Sequence, residues 1–269
     1  GSVSVAAPTD DVYVDAGSVS TTIASAAGGN FENLAINPAP ATTSITDTID
    51  TTTVSLTATP SVAEGGSIIY TASLTNSAQS PVSVTLSNGA VITIAAGSSS
   101  GSVSVTAPTD DVYVDAGSLN ATIASATGGN FENLAVDNTP AITAVTDTID
   151  VTTVSLTADA SVAEGGSITY TVSLTSAAQS PVTVTLSDGA VITIAAGTSS
   201  GSVSVAAPTD DVYVDAGSVS ASIASAAGGN FENLVVDSTP AITAIADTID
   251  ITTVSLTATP SVAEGGLIV

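Results

Sequence analysis

The 269-residue chain carries 25 Asp and Glu but no Lys, Arg, His, Cys, Met or Trp, for a formal net charge of −25. That composition leaves no side-chain salt bridge, disulfide or thiolate metal site. It also leaves no cation to displace counterions from nucleic acid or to meet an anionic lipid surface, and no His, Lys or Cys to activate a nucleophile.

The chain is nevertheless not polar. Apolar residues make up 43% of it and the mean hydropathy is +0.50. Val, Ile and Thr are abundant, and they suit half-buried pleated strands better than disorder. Apolar runs never reach membrane-helix length, and 5 Tyr with 3 Phe cannot supply the aromatic girdles of a membrane barrel. Direct membrane insertion is therefore not expected.

In chain order, residues 1–48 open with GSVSV and continue through APTDDVYVDAGS, a string that returns at 101–148 and 201–248. Residues 51–100 return at 151–200, and TTVSLTATPSVAEGG appears once more from Thr252. The offset is 100 throughout, the signature of tandem units. Differences between copies are mild apolar swaps, expected at core-facing positions: Val19, Leu119, Val219; Ile36, Val136, Val236; Ile45, Val145, Ile245. A chain that begins Gly-Ser inside a repeat is expected to be a piece of something longer.

Within one copy the period is two. Val54 and Leu56 share a face; Ile68, Tyr70, Ala72 and Leu74 follow, then Val82, Val84 and Leu86, then Ile92 and Ile94. Val103 and Val105, then Leu119, Ala121 and Ile123 continue the pattern, and AITAVTD breaks alternation at Ile142 and Val145, which predicts a bulge there. TPSVAEGG, TNSAQSP, SNG, AGSSSG, APTDD and ATGGN separate the runs as turns. Seven short strands per 100 residues predict an all-β fold of tandem immunoglobulin-like β-sandwich domains arranged end to end, without the Cys and Trp of antibody domains. The expected divisions are 1–48, the C-terminal part of a repeat; 49–148 and 149–248, complete repeats; and 249–269, the N-terminal part of another. Neighbouring repeats of the same chain are then the first expected partners.

Seven antiparallel strands gather the A–B, C–D and E–F turns at one pole with the end of strand G. In 149–248 that pole collects Glu164, Asp188, Asp210, Asp211 and Asp215, joined by Asp247 and Asp250 from the exit DTID. In 49–148 it collects Glu64, Asn88, Asp110, Asp111, Asp115, Asp147 and Asp150, with Glu132 or Glu232 of the F–G loop facing across a junction. Converging carboxylates repel, and Ca²⁺, which takes 6–8 oxygens in flexible geometry, resolves that better than octahedral Mg²⁺. A solvated acidic rim is the alternative. Tyr13, Tyr113 and Tyr213, set between acids, fit packing a loop onto the sandwich better than binding a ligand. Asn120-Ala121-Thr122 is a glycosylation acceptor by pattern only, since Ser20 and Ser220 stand at the matching positions.

The run from DTTTVSLTATPSVAEGG through PVSVTLSNGAVITIAAG and DDVYVDAGS to GGNFENLAVD resembles the extender repeats of giant bacterial biofilm adhesins, the LapA-type RTX adhesins exported by type I secretion. The resemblance implies a non-enzymatic spacer at the extracellular bacterial cell surface, projecting an adhesive region, with Ca²⁺ rigidifying domain junctions. By analogy it assigns Glu64, Asp110, Asp111, Asp150 and their copies to Ca²⁺. The alternative role is a self-associating subunit of an extracellular filament or matrix fibre, whose partners would be other copies of the chain.

Overall fold

The computed structural model describes every residue from Gly1 to Val269. It is all-β and divides into two compact units: Gly1–Asp110 with Ala116–Thr148, and Asp111–Asp115 with Ile149–Val269.

The first unit opens with a hairpin, β1 (Gly17–Thr21) against β2 (Ala41–Ile45). A sandwich follows, built from β3 (Thr51–Ala58), β4 (Ser61–Ala63), β5 (Ser67–Leu74), β6 (Val82–Leu86), β7 (Val91–Ile94), β8 (Ser100–Thr106), β9 (Gly117–Ala121), β10 (Ile123–Gly128), β11 (Asn133–Val136) and β12 (Ala141–Thr146). One layer runs β11-β3-β5-β8. The other is made of β10-β6-β7 and β4-β12-β9, joined because β9 and β10 are successive parts of one strand path. Alternation drives the assembly. Val54, Ile68, Tyr70 and Ala72 from the first layer meet Val82, Val84, Leu86, Ile92 and Ile94 from the second in one buried cluster.

Both edge strands change layers. The chain pairs β3 in parallel with β11, crosses at Thr59-Pro60, and pairs β4 in parallel with β12. Neither β4 nor β11 stands out in the sequence, where SVA lies within TPSVAEGG, which reads as a turn, and NLAV follows the ATGGN turn outside every alternating run. Each is short and owes its conformation to a parallel partner some 80 residues away in the chain, a pairing that no local pattern encodes.

The expected bulge lies elsewhere. β12 keeps a regular register from Ala141 opposite Ala121 to Val145 opposite Gly117, whereas the shift occurs on β10, between Ile123 and Ser125. The apolar count misled because Thr143, not Ile142, faces the core. The Thr143 hydroxyl donates to the Thr59 carbonyl (2.7 Å), which satisfies it in the interior, and Ile142 is left 60% exposed. Among the positions of apolar exchange, Val145 and Ile245 are buried, Val136 and Val236 half-buried, and Leu119 exposed.

The second unit repeats the plan with β13 (Val151–Ala158), β14 (Ser161–Ala163), β15 (Ser167–Leu174), β16 (Val182–Leu186), β17 (Val191–Ile194), β18 (Ser200–Ala206), β19 (Gly217–Ala221), β20 (Ile223–Gly228), β21 (Asn233–Val236) and β22 (Ala241–Ala246). Tyr170 is buried in its core, as Tyr70 is in the first. Residues 251–269 form no strand and are exposed.

Candidate cation centre

The A–B turn is built to deliver a glutamate inward. Gly165 sits at φ +68°, a conformation that favours glycine, and its N–H donates to the Pro208 carbonyl (2.7 Å), tying the A–B turn to the E–F loop. The Glu164 N–H donates to the Ala246 carbonyl (3.0 Å) at the end of β22. Glu64 is anchored in the same way, to the Thr146 carbonyl (3.1 Å). Both glutamates are only 7% exposed.

In the second unit this turn brings Glu164 to Asp215 of the E–F loop and Asp247 of the exit. One carboxylate oxygen from each lies within 4.8 Å of the other two. Glu164 Oε2 and Asp247 Oδ1 are sealed from solvent and receive no hydrogen bond. The contact with Asp215, then burial, then the charges of Asp215, Asp247 and Asp211 push the Glu164 carboxyl up to about 7. With no basic side chain on the chain, these oxygens are satisfied by a proton or by a bound cation. An all-carboxylate donor set fits a hard divalent ion, and its origin in loops and strand ends fits the adaptable geometry of Ca²⁺.

The neighbouring acids divide into those that face this cluster and those engaged elsewhere. Asp210 accepts from the Thr248 hydroxyl, and Asp110 from that of Thr148, so each pins an E–F loop to its exit strand. Asp111 and Asp211 each close a tight turn by accepting the N–H two residues on, from Tyr113 and Tyr213 (2.7 Å in both). Asp250 borders a small cavity with Tyr213 and Asp247. Asp147 Oδ1 is sealed and receives no hydrogen bond, whereas Asp115 is exposed. Asp188 lies outside the three-carboxylate group. It closes its own turn by accepting the Ala190 N–H (3.0 Å), as Asn88 does with Ala90. Burial first, and the Asp188 charge second, raise the Tyr170 phenol.

The F–G loop supplies a further acid. Glu132 Oε2 accepts the Asp50 N–H (2.5 Å), and Glu232 Oε2 accepts that of Asp150 (2.6 Å). The second oxygen of each glutamate is sealed and without a donor. For Glu132 the Asp50 N–H favours ionisation, but burial and the Asp47 and Asp50 carboxylates outweigh it and raise the group. Asp15, whose N–H donates to Asp47 Oδ2 (3.2 Å), is raised by burial and then by Asp11, Asp47 and Asp10. These first-copy acids are recoverable from the 100-residue offset alone.

A second constellation was only partly legible. Tyr13 stacks on Phe131 at 5.7 Å between centroids, and Tyr113 on Phe231 at 5.6 Å. The phenols donate to the carbonyls of Ser77 (2.6 Å) and Ala177 (2.5 Å). Around each ring pair the backbone forms two further bonds: Val14 N–H to Asn130 O and Glu132 N–H to Val12 O (3.1 Å each), repeated at Val114–Asn230 (3.0 Å) and Glu232–Val112 (3.1 Å). The expectation that these tyrosines pack a loop onto a sandwich holds for Tyr13 and Tyr113. The sandwich they join is that of the following repeat, and the Phe that receives them carried no signal in the sequence.

The LapA domain family model matches residues 1–48, 50–148 and 150–248. No curated protein matches the chain. Nearly the whole sequence is thus covered by three consecutive matches, in register with the sandwich units, and the chain belongs to the LapA domain family.

Proposed function

We propose that these repeats form a structural spacer of a large extracellular adhesin at the bacterial cell surface, and that Ca²⁺ bound at the exit of each repeat stiffens its junction with the next. The observation that carries this reading is the Glu164, Asp215 and Asp247 group, with two solvent-sealed, donorless oxygens in a chain devoid of basic side chains. The Asp47, Asp50 and Glu132 group supports it, because there an F–G loop glutamate holds the strand that leaves one copy and enters the next. One ion shared between exit carboxylates and such a glutamate would tie linker to domain body. Membership of the LapA family and the absence of His, Lys and Cys support a structural and not a catalytic role.

The test is thermal unfolding in Ca²⁺, in chelator, and in chelator with high NaCl. Ca²⁺ is expected to raise stability by about 2.7 kcal/mol at a hundredfold excess over its dissociation constant. High salt, which only shortens the screening length, is expected to recover a small part of that. Coincident melting curves in Ca²⁺ and chelator would leave a solvated acidic rim and defeat the cation reading.

A further inference from the structure

Both complete sandwiches are closed at one end by a tyrosine of the preceding repeat. In the second unit the B–C loop, from β15 to β16, and the F–G loop, from β20 to β21, each cross from one layer to the other. The loops are pinned together: the Gln179 N–H donates to the Gly229 carbonyl (3.1 Å), and the Asn230 amide donates to Gln179 Oε1 (2.8 Å). Gly229 at φ +88° and Asn230 at φ +61° turn the F–G loop sharply, and a Cβ on Gly229 would stand 2.2 Å from the Phe231 ring. Tyr113 then spans both loops, with its ring on Phe231 and its phenol on the Ala177 carbonyl. Val112 and Tyr113 pack against the core of 149–248 and take no part in that of 49–148, and Asp111–Asp115 belongs to the second compact unit. Tyr13 spans Phe131 and the Ser77 carbonyl in the same way, with Val12 and Tyr13 against the core of 49–148.

We propose that Asp111–Asp115 is an end cap lent to the following repeat, and that its seating stabilises the repeat that receives it and not the repeat that donates it. Two observations separate the roles. The turn of the cap is closed from within, by Asp111 Oδ1 on the Tyr113 N–H (2.7 Å), so its seated shape uses nothing from the donor's sandwich. Its Val112 and Tyr113 side chains pack against the receiver's core alone. In a tandem array the nearest-neighbour contribution to stability is then one-sided, and a repeat that unfolds leaves its successor capped. No ion takes part, so the inference does not rest on the cation reading.

Hydrogen exchange on the full chain tests it, run in chelator so that no ion can hold a junction. Tyr113→Ala is expected to speed exchange across β20 and β21 on the order of tenfold, through the lost ring pair and phenol bond, and to leave β5, β6 and β7 as in wild type. Tyr113→Phe, which keeps the ring, is expected to fall between. Tyr13→Ala should move the effect one repeat back, to β10 and β11, and spare β20 and β21. Exchange that rises with Tyr113→Ala as much in β5, β6 and β7 as in β20 and β21 overturns the proposal, because the contact would then serve donor and receiver alike. Unchanged exchange in all of them also overturns it, because the cap would then carry no stability. Every one of these results is read without Ca²⁺, so a Ca²⁺-dependent melt stands or falls separately.

Discussion

Residues 1–48 and 101–148 are near-copies in sequence yet differ in structure. In the later copy Ala121, Ile123, Phe131, Ala141 and Val145 are buried; in the earlier one Ile23 and Phe31 are 60% and 67% exposed. β8 has β5 beside it, β10 has β6, and β11 has β3, whereas residues 3–6, 23–28 and 33–36 have no such neighbour and form no strand. Three features are common to both copies: the β1–β2 hairpin, the Asp11–Tyr13 turn, and the turn closed by residue 37 on the N–H of Ala39. In the complete repeat, then, β8, β10 and β11 are paired with strands of the first half, whereas the β9–β12 hairpin and the turn at Asp137–Thr139 are closed within the second half.

The most forceful way to break the contrast is to damage the half that pairs with those strands. Ile94→Ala, at a fully buried position of β7, is expected to cost the 49–148 sandwich about 2–5 kcal/mol. Hydrogen exchange across β10 and β11 should then approach that of residues 23–36, while 149–248 keeps its protection. Unchanged exchange in β10 would mean that the second half is stable on its own.

A smaller effect separates acids that depend on the whole repeat from those that do not. Glu164 is delivered by the A–B turn, and its carboxyl in the fold sits at about 7 against an ordinary 4.5. Between those values the folded chain holds more protons than the unfolded one. In chelator the stability of the second unit is therefore expected to fall as pH rises from about 4.5 to about 7, and to level off above. Glu164→Gln should flatten that slope, and Ca²⁺ should abolish it by replacing the proton, with proton release on binding measurable by titration calorimetry in buffers of different ionisation enthalpy. A slope that survives Glu164→Gln would assign the proton elsewhere in the cluster.

The smallest effect belongs to a turn that needs no sandwich. Asp137 is held below its ordinary value by the Thr139 hydroxyl and then the Thr139 N–H, and Asp237 by the same two groups of Thr239. Their contribution is present above pH 3.8 and is lost as pH falls through the depressed folded value. Asp137→Asn puts back the amide that Asn37 uses in the first copy, so it should keep the turn and remove only that acid-side loss, read from chemical-shift titration of Thr139.

Much of this was legible in the sequence. Alternation placed Ile68, Tyr70, Ala72 and Leu74 on one buried face, because a period of two has one interpretation once a sheet has an inside. The convergence of Glu164, Asp215 and Asp247 followed from strand count alone, since topology decides which loops share a pole. The rest depended on side-chain partners. Thr143 took a core position where its hydroxyl reaches the Thr59 carbonyl, and Thr243 took the same position with no partner for its hydroxyl, so the bond alone does not account for the placement. Asp188 stayed out of the acid cluster because its own turn occupied it. Tyr113 crossed to the next repeat because Phe231, more than a repeat further along, stood ready to receive it.

The two edge strands that change layers also set how a repeat bears tension. The chain enters through β13 and β14 and leaves through β22, and β14 runs parallel to β22 as β13 does to β21. Pulling on the two ends of a repeat drags parallel neighbours past each other along their length. The ladder hydrogen bonds are then loaded in shear and must give way together, not peel one at a time as they would in a hairpin pulled from its open end. A protein drawn out by flow at one end while held at the other would meet its greatest resistance at these two short pairings, which no local pattern in the sequence announces.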